Sequence, residues 1–224
     1  MHFRSRKASL VALLALGSLL LTGCKNGSVY GYESDLSSVN EVSWHLWRGA
    51  WLAAAVVGIF TAALILWPVL RHRRKEGDPQ YPKQTQYNIP VEVAYTIIPF
   101  IIVAVLFYFT ARDEAKIIAK EPSKVMHTID VTGIQWSWQF GYQDGGPNAV
   151  VTGTPAQPPT LVLPQGERVA FKIHSNDVVH GFWIPAFMIQ MQNLPGVTNH
   201  LEFTANKLGE YPGRCNILCG RSHS

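Results

Sequence analysis

Two long apolar runs dominate the pattern of the first half of the chain. The first extends from about Trp44 to Leu70, and the second from about Val91 to Ala111, with Pro99 inside it. Each run is long enough to cross the hydrocarbon core of a bilayer, and tryptophans near both ends of the first suit the two membrane–water interfaces. A buried hairpin of a soluble protein is the alternative, but the charge-free cores of both runs favour two membrane helices.

The second half of the chain contains shorter segments rich in β-forming residues. Residues 128–140 alternate in places between apolar and polar side chains, and a loop rich in Gly, Pro and Asn follows at about 143–160. Further strands are predicted at 161–163, 169–173 and 201–204. Short strands at this spacing predict an antiparallel β-sandwich or barrel.

The N-terminus has the layout of a secretory signal, with a basic start and an apolar core from Leu10 to Leu21. The tetrapeptide that ends at Cys24 resembles the bacterial lipoprotein processing box, in which the cysteine becomes lipidated and is the first mature residue. An ordinary signal peptide that contains a cysteine is the alternative. We expect residues 1–23 to be removed, Cys24 to carry a lipid anchor, and residues 24–43 to form a linker.

The distribution of positive charge predicts the topology. The net charge is +4, and removal of Arg4, Arg6 and Lys7 with the signal would leave +1 (4 − 3). Most of the remaining excess of positive charge lies in the basic run at 71–75, beside the first apolar run. The positive-inside rule therefore places the 71–90 loop in the cytoplasm and everything after residue 112 outside it. This explanation of the charge argues against nucleic-acid binding.

The strongest candidate for chemistry is Cys215-x3-Cys219-x3-His223, preceded by His180. Thiolates and imidazoles suit copper or zinc, and a pair of thiolates can bridge two metal ions in a compact dinuclear centre. A disulfide is plausible outside the cytoplasm but leaves both histidines unexplained. A structural zinc site normally uses a different ligand order, and a mononuclear blue copper site generally uses one cysteine. Asp177 is either a partner that orients His180 or a turn residue.

Several motifs in the same order resemble cytochrome c oxidase subunit II, from the lipoprotein box to the last residue. They are Glu92-x2-Tyr95-Thr96-x2-Pro99, Gln135-Trp136-Ser137-Trp138, and the segments that contain His180 and Cys215 to His223. The resemblance implies a two-helix transmembrane hairpin at 44–112. It also implies an all-β, cupredoxin-like Greek-key sandwich or barrel at 113–224, which carries the dinuclear copper centre called CuA.

The resemblance also implies a ligand set. His180, Cys215, Cys219 and His223 would bind copper through their side chains, and Ile217 through its backbone carbonyl. The family usually has a methionine ligand three residues after the second histidine, which would be position 226, so we expect the domain to be truncated at its C-terminus. The family commonly has a magnesium-binding glutamate where this chain has Ile217, so no magnesium ligand is predicted from this subunit.

Two further residues match positions with known roles in the family. Trp136 resembles the exposed aromatic that receives electrons from cytochrome c, whereas packing on one face of a strand is the alternative and is favoured for Trp138. Glu92 matches the residue at the entrance of a proton channel into subunit I. A carboxylate favoured by the backbone dipoles at a helix N-terminus is the other interpretation. His174 and His200 match no motif and are read as ordinary histidines.

The resemblance implies electron transfer from cytochrome c to CuA and then to haem in subunit I, where oxygen is reduced to water and protons are pumped. Haem and CuB would belong to the partner subunit, and the complex would include subunits I and III in a bacterial cell membrane. From residue 128 onward the chain has six acidic and five basic residues. Steering of a soluble basic cytochrome needs an acidic excess. We therefore expect a donor held nearby, such as a membrane-bound cytochrome in a supercomplex.

Two rival functions follow from the same sequence. The quinol oxidase form of the subunit keeps the fold but lacks the copper ligands, so His180 and the two C-terminal cysteines argue against it. An exported copper-delivery lipoprotein that acts alone would need neither the helical hairpin nor the motif from Glu92 to Pro99, because the lipid would already anchor it.

Overall fold

The computed structural model describes residues 31–81, 84–146 and 148–220. The predicted signal peptide, Cys24 and His223 lie outside the described residues. Within those ranges the chain forms two long α-helices followed by a β domain.

Helices α1 (Ser38–Arg71) and α2 (Ile89–Ile117) correspond to the two apolar runs. Both are long and apolar enough to cross a membrane, and their apolar side chains are largely exposed. Among the residues that the structure describes, no core covers the apolar surface of these two helices, which distinguishes them from the buried hairpin of a soluble protein.

Each helix is six residues longer than predicted at one end. Helix α1 begins at Ser38 because the Ser37 hydroxyl accepts a hydrogen bond from the Asn40 backbone N–H at 3.1 Å and so caps the first turn. Helix α2 continues past Ala111 into charged residues. There Asp113 is buried and pairs with Arg112 at 2.8 Å and with Lys116 at 3.1 Å.

The residues on both sides of the start of helix α1 pack into the β domain, although the sequence predicted a linker there. Leu36 and Val39 belong to the hydrophobic core, and Ser37 and Asn40 are fully buried. The Asn40 side chain donates to the Ala186 carbonyl at 3.1 Å. The segment therefore anchors helix α1 to the domain that follows both helices.

The β domain is a sandwich of two sheets. The first has the strand order β3-β2-β1-β4-β7 and the second the order β6-β5-β8. The strands are β1 (Val125–Ile134), β2 (Ser137–Tyr142), β3 (Val150–Thr152), β4 (Arg168–Ser175), β5 (His180–Ile184), β6 (Ile189–Asn193), β7 (Asn199–Thr204) and β8 (Arg214–Cys215). This architecture confirms the predicted two-helix hairpin followed by an all-β, cupredoxin-like sandwich.

Three details of the predicted sheet were wrong, and one of them is that the loop predicted at about 143–160 contains strand β3. Strands β1 and β4 pair in parallel, so the first sheet is mixed; the long connection through β2 and β3 supplies the crossover that parallel strands need. Residues 161–163 form no strand. Leu161 and Leu163 pack against the core while Val162 is exposed, which reproduces the alternation of a strand without a backbone partner in a sheet.

The core lies between the two sheets. Strand β4 alternates strictly between buried and half-buried residues, as expected of a strand with one face on a core. Phe171 of β4 stacks on Phe203 of β7 at 4.7 Å between ring centroids, and Phe182 of the second sheet lies 6.3 Å from Phe171.

A buried amide joins the two sheets behind the candidate site. Asn193, at the end of β6, lies opposite His180 in the register of β5 and β6. Its side-chain oxygen accepts from the Phe182 N–H at 3.1 Å, and its nitrogen donates to the carbonyls of Val131 at 3.3 Å and His174 at 3.0 Å. All three bonds are made inside the protein, so the amide fixes β5 over the first sheet.

Candidate metal centre

Strand pairing in the second sheet brings three of the predicted ligands together. His180 is the first residue of β5, and Cys215 is the last residue of β8, which pairs with β5 opposite Phe182. Cys219 follows four residues later on the loop. One ligand atom from each of these three residues lies within 4.8 Å of the others.

The two sulfur atoms are 3.5 Å apart. This distance is much longer than the roughly 2.05 Å of a disulfide bond, so the thiols are not linked. The Ile217 carbonyl oxygen lies 3.4 Å from the Cys215 sulfur, and the Gly181 N–H points to that sulfur at the same distance. Two sulfurs, an imidazole and a carbonyl thus face one small volume, and this donor set fits copper. The second predicted imidazole, His223, lies outside the described residues.

Asp177 orients the buried His180 ring. One carboxylate oxygen lies 2.7 Å from His180 Nε2, and the other accepts from the Gln135 backbone N–H at 2.7 Å. Burial opposes the charged form of Asp177, but the hydrogen bonds from His180, Val178 and Gln135 outweigh it and lower the pKa of the carboxyl. Because Asp177 occupies Nε2, a metal ion would bind the other ring nitrogen, Nδ1.

The thiol of Cys219 is protonated near neutral pH before a metal binds. Burial, together with the neighbouring Cys215 thiol, raises the pKa of Cys219 to about 11. Metal binding must therefore release a proton from this residue, because the thiolate is the ligand.

Trp136 and Trp138 lie on opposite sides of the loop–strand boundary and have different surroundings. Trp136 is 39% exposed, and its indole Nε1 donates to the Cys219 carbonyl at 2.9 Å. Trp138 is buried, with its ring edge-on to His180 at 6.1 Å between centroids. The structure thus places Trp136 between solvent and the predicted ligand Cys219. Trp138 instead packs inside the protein against the predicted ligand His180.

Glu92 is not part of this centre. It lies in the first turn of helix α2, where its side chain accepts from the Asn88 backbone N–H at 3.0 Å, while the Asn88 side chain caps the helix by accepting from Val91. This reciprocal arrangement is a helix cap. His174 and His200 lie in β4 and β7, away from the two cysteines in sequence and sheet.

Sequence reasoning missed several residues that support the centre. Gly133 lies under His180, and a Cβ atom there would be 2.6 Å from His180 Cδ2. A glycine within a run of β-formers is a signal of such close approach and could have identified it. Gln135 donates from its side chain to the Cys219 carbonyl at 3.2 Å, and Asn216 contacts Gly181 and Gln190. Gln135 opens the Gln135-Trp136-Ser137-Trp138 motif, but that motif indicates no contact with the ligand loop, and no local pattern marks Asn216.

Known proteins are similar to this chain in sequence and in structure. The profile of a family described as "Cytochrome C oxidase subunit II, periplasmic domain" matches residues 156–224. Among solved structures, the periplasmic domain of subunit II of cytochrome oxidase (CoxB) of Bradyrhizobium japonicum is 29% identical. That match has a TM-score of 0.41 and covers 47% of this chain and 80% of that domain.

Full-length relatives extend the similarity over both helices and the β domain. The probable cytochrome c oxidase subunit 2 of Streptomyces avermitilis is 36% identical over 99% of this chain and 82% of its own length. Cytochrome c oxidase subunit 2 of Mycobacterium tuberculosis is 32% identical over 98% of this chain and 76% of its own length. The chain therefore belongs to the cytochrome c oxidase subunit 2 family, the membrane-anchored subunit through which electrons enter this oxidoreductase complex.

Proposed function

We propose that this chain holds a CuA centre and uses it to accept electrons from cytochrome c for the haem of subunit I. The observation that carries the proposal is the convergence of His180, Cys215 and Cys219 within 4.8 Å in the β domain. Family membership alone does not distinguish a copper-binding form from one without copper. Two thiols and an imidazole that meet in this way are unneeded in a subunit without the metal.

The side chains of His180, Cys215, Cys219 and His223, with the backbone carbonyl of Ile217, would hold the two copper atoms. When bound, the dinuclear copper supplies a site that takes up and gives off one electron at a time. The β framework and the Asp177 hydrogen bond hold the imidazole in one orientation, so little rearrangement of the protein is needed when the charge changes.

Trp136 is the residue through which we propose that electrons enter. Its half-exposed indole reaches the Cys219 carbonyl by a direct hydrogen bond, so a donor that docks on the indole is one short contact from a copper ligand. The near-neutral charge balance of the domain favours a donor held nearby, such as a membrane-bound cytochrome in a supercomplex. Rates with soluble cytochrome c that fall steeply as salt rises would contradict a tethered donor.

The remaining assignments concern the membrane. We propose that the mature chain starts at a lipidated Cys24 and that both helices span a bacterial cell membrane. The 71–90 loop would then face the cytoplasm and residues 113–224 the outside. Glu92 at the cytoplasmic end of α2 would lie at the entrance of a proton path into subunit I, in a complex that also contains subunit III and couples oxygen reduction to proton pumping.

Metal analysis of the purified oxidase tests the proposal. Copper content per haem and the electron paramagnetic resonance (EPR) spectrum would be compared for the native chain and for Cys219→Ser and His180→Asn. We expect the two variants to lose the copper signal of this subunit and to retain haem. His200→Asn is the matched control, because it removes an exposed imidazole from β7. A native complex without copper in this subunit would overturn the proposal.

A further inference from the structure

The loop that carries the predicted ligands has little apolar packing of its own. It follows β8, which has only two residues, and Leu218 in its middle is 96% exposed. Asn216 and Gly220 are also exposed. A loop with so few buried contacts should be mobile unless specific bonds hold it. Two amide side chains supply such bonds, one near each cysteine.

Asn216 holds the beginning of the loop. Its side-chain nitrogen donates to the Gln190 side-chain oxygen on β6, next to β5 in the second sheet. Its side-chain oxygen lies against Gly181, where a Cβ atom would come within 2.0 Å of it. Glycine at 181 is therefore required for the Asn216 side chain to lie across β5, one residue from His180.

Gln135 holds the end of the loop. Its side-chain nitrogen donates to the Cys219 carbonyl, which also accepts from Trp136. The backbone N–H of Gln135 donates to the carboxylate of Asp177 that orients His180. This one residue of the β1–β2 turn thus connects both ligand-bearing segments, the turn before β5 and the loop after β8.

We propose that Gln135 and Asn216 are positioning residues that fix the loop from Cys215 to Cys219 relative to His180; we call the pair the amide clamp. This inference rests on the proposed copper centre, which it deepens. Both side chains are neutral, so the clamp sets the geometry of the ligands without adding charge beside the metal. It also holds the two thiols in place before copper arrives.

Thiol reactivity in the copper-free chain tests the clamp without any metal. The full-length chain in detergent would be alkylated with iodoacetamide at one pH, and the modification of Cys215 and of Cys219 followed by mass spectrometry of their peptides. A neutral hydrogen bond is worth about a fivefold change in an equilibrium. We expect Asn216→Ala and Gln135→Ala each to speed modification about fivefold, with the larger effect on the nearer cysteine.

Matched variants separate positioning from a general loss of structure. Gln139→Ala removes a similar amide bond, from Gln139 Nε2 to the Thr152 hydroxyl at 2.8 Å, on the neighbouring strand β2. It should leave both thiol rates unchanged. Gln135→Met keeps the approximate length of the side chain and adds no charge but cannot donate to the carbonyl, so it should match Gln135→Ala.

The copper-loaded oxidase gives the second measurement. We expect the two clamp variants to bind copper but to release it to a chelator about fivefold faster, with altered hyperfine splitting in the EPR spectrum; Gln139→Ala should match the native complex. Thiol rates and copper release equal to those of the native chain in both variants would overturn the clamp. A native complex that takes up no copper would instead overturn the proposed function. The rates of thiol modification would still show whether the amide clamp holds the loop.

Discussion

The close packing of Gly133 under His180 leads to a specific prediction for Gly133→Ala. The added methyl carbon would lie 2.6 Å from Cδ2 and 2.8 Å from Cγ of His180. The imidazole has no room to retreat, because it is fully buried, lies edge-on to Trp138 and is held by Asp177 at 2.7 Å. The Gly133 backbone is equally constrained, since it pairs with both neighbouring strands.

The steric clash determines whether Gly133→Ala raises or lowers the free energy of unfolding. Carbon atoms normally meet at about 3.5–4.0 Å, so the methyl group is roughly 1 Å too close. Overpacking of this kind costs about 1–3 kcal/mol, against a gain of about 0.5–1 kcal/mol from replacing glycine in a strand. We expect a net loss of about 1 kcal/mol in the free energy of unfolding of the β domain, which corresponds to a Tm lower by roughly 4–8 °C.

Gly141→Ala is the matched control, because it makes the same substitution in the same sheet where there is space. The nearest atom to a Cβ there is Asp130 Cβ at 3.6 Å, an ordinary contact. Thermal unfolding of the full-length chains would be followed by near-ultraviolet circular dichroism, and copper binding by EPR. Gly133→Ala should unfold at a lower temperature than the native chain and show a perturbed copper spectrum. Gly141→Ala should keep the native unfolding temperature and the native spectrum. Equal unfolding temperatures and native spectra for both would refute the close packing under the imidazole.

Three further changes test other parts of the domain. His127→Gln removes an imidazole whose pKa is raised by its hydrogen bonds to Glu167 and then Asp144. Protonated His127 therefore stabilises the fold below its ordinary pKa of about 6.5 and loses this effect as the pH rises through the raised value. The Tm difference from the native chain should shrink toward alkaline pH; a difference that grows would contradict the ion pairs. Asn193→Asp leaves two buried carbonyls without a donor and should cost about 3 kcal/mol in denaturant unfolding, and a change below 1 kcal/mol would argue against the inter-sheet bonds. Asp177→Asn should weaken copper binding about 10-fold to 100-fold in a chelator competition. A variant that binds copper as tightly as the native chain would contradict the role of Asp177 in orienting His180.

The helices were predictable because their signal is local and long. Runs of more than twenty mostly apolar residues leave few alternatives, and the errors were confined to the ends. There, Ser37 extends α1 as a cap, and charged residues such as Asp113 extend α2 by pairing among themselves. Strand pairing was less predictable. The parallel partner of β1 lies beyond two other strands, and the alternation at 161–163 reflects packing without a sheet partner.

The candidate ligands were predictable for a similar reason. Cys215 and Cys219 are four residues apart, and their chemistry restricts what the segment can do. The residues that hold them were not, because their contacts join distant parts of the chain: Gln135 is 84 residues from the carbonyl that it binds. An exposed glutamine at a turn looks the same in the sequence whether it contacts a ligand loop or only solvent.

The helices are also attached to the β domain by contacts between residues that are far apart in the sequence. These attachments matter for electron transfer. The chain leaves α2 through a connection whose Glu121 N–H donates to the buried Glu202 carboxylate at 2.8 Å, and Arg168 donates to the same oxygen at 3.1 Å. Asn40 anchors the start of α1 by its own buried bonds. Tilting of the domain at either attachment would leave buried polar groups unpaired, at a cost of about 1–3 kcal/mol each. Such attachments oppose changes in the distance between the candidate metal site and the membrane, and electron-transfer rates depend on such distances.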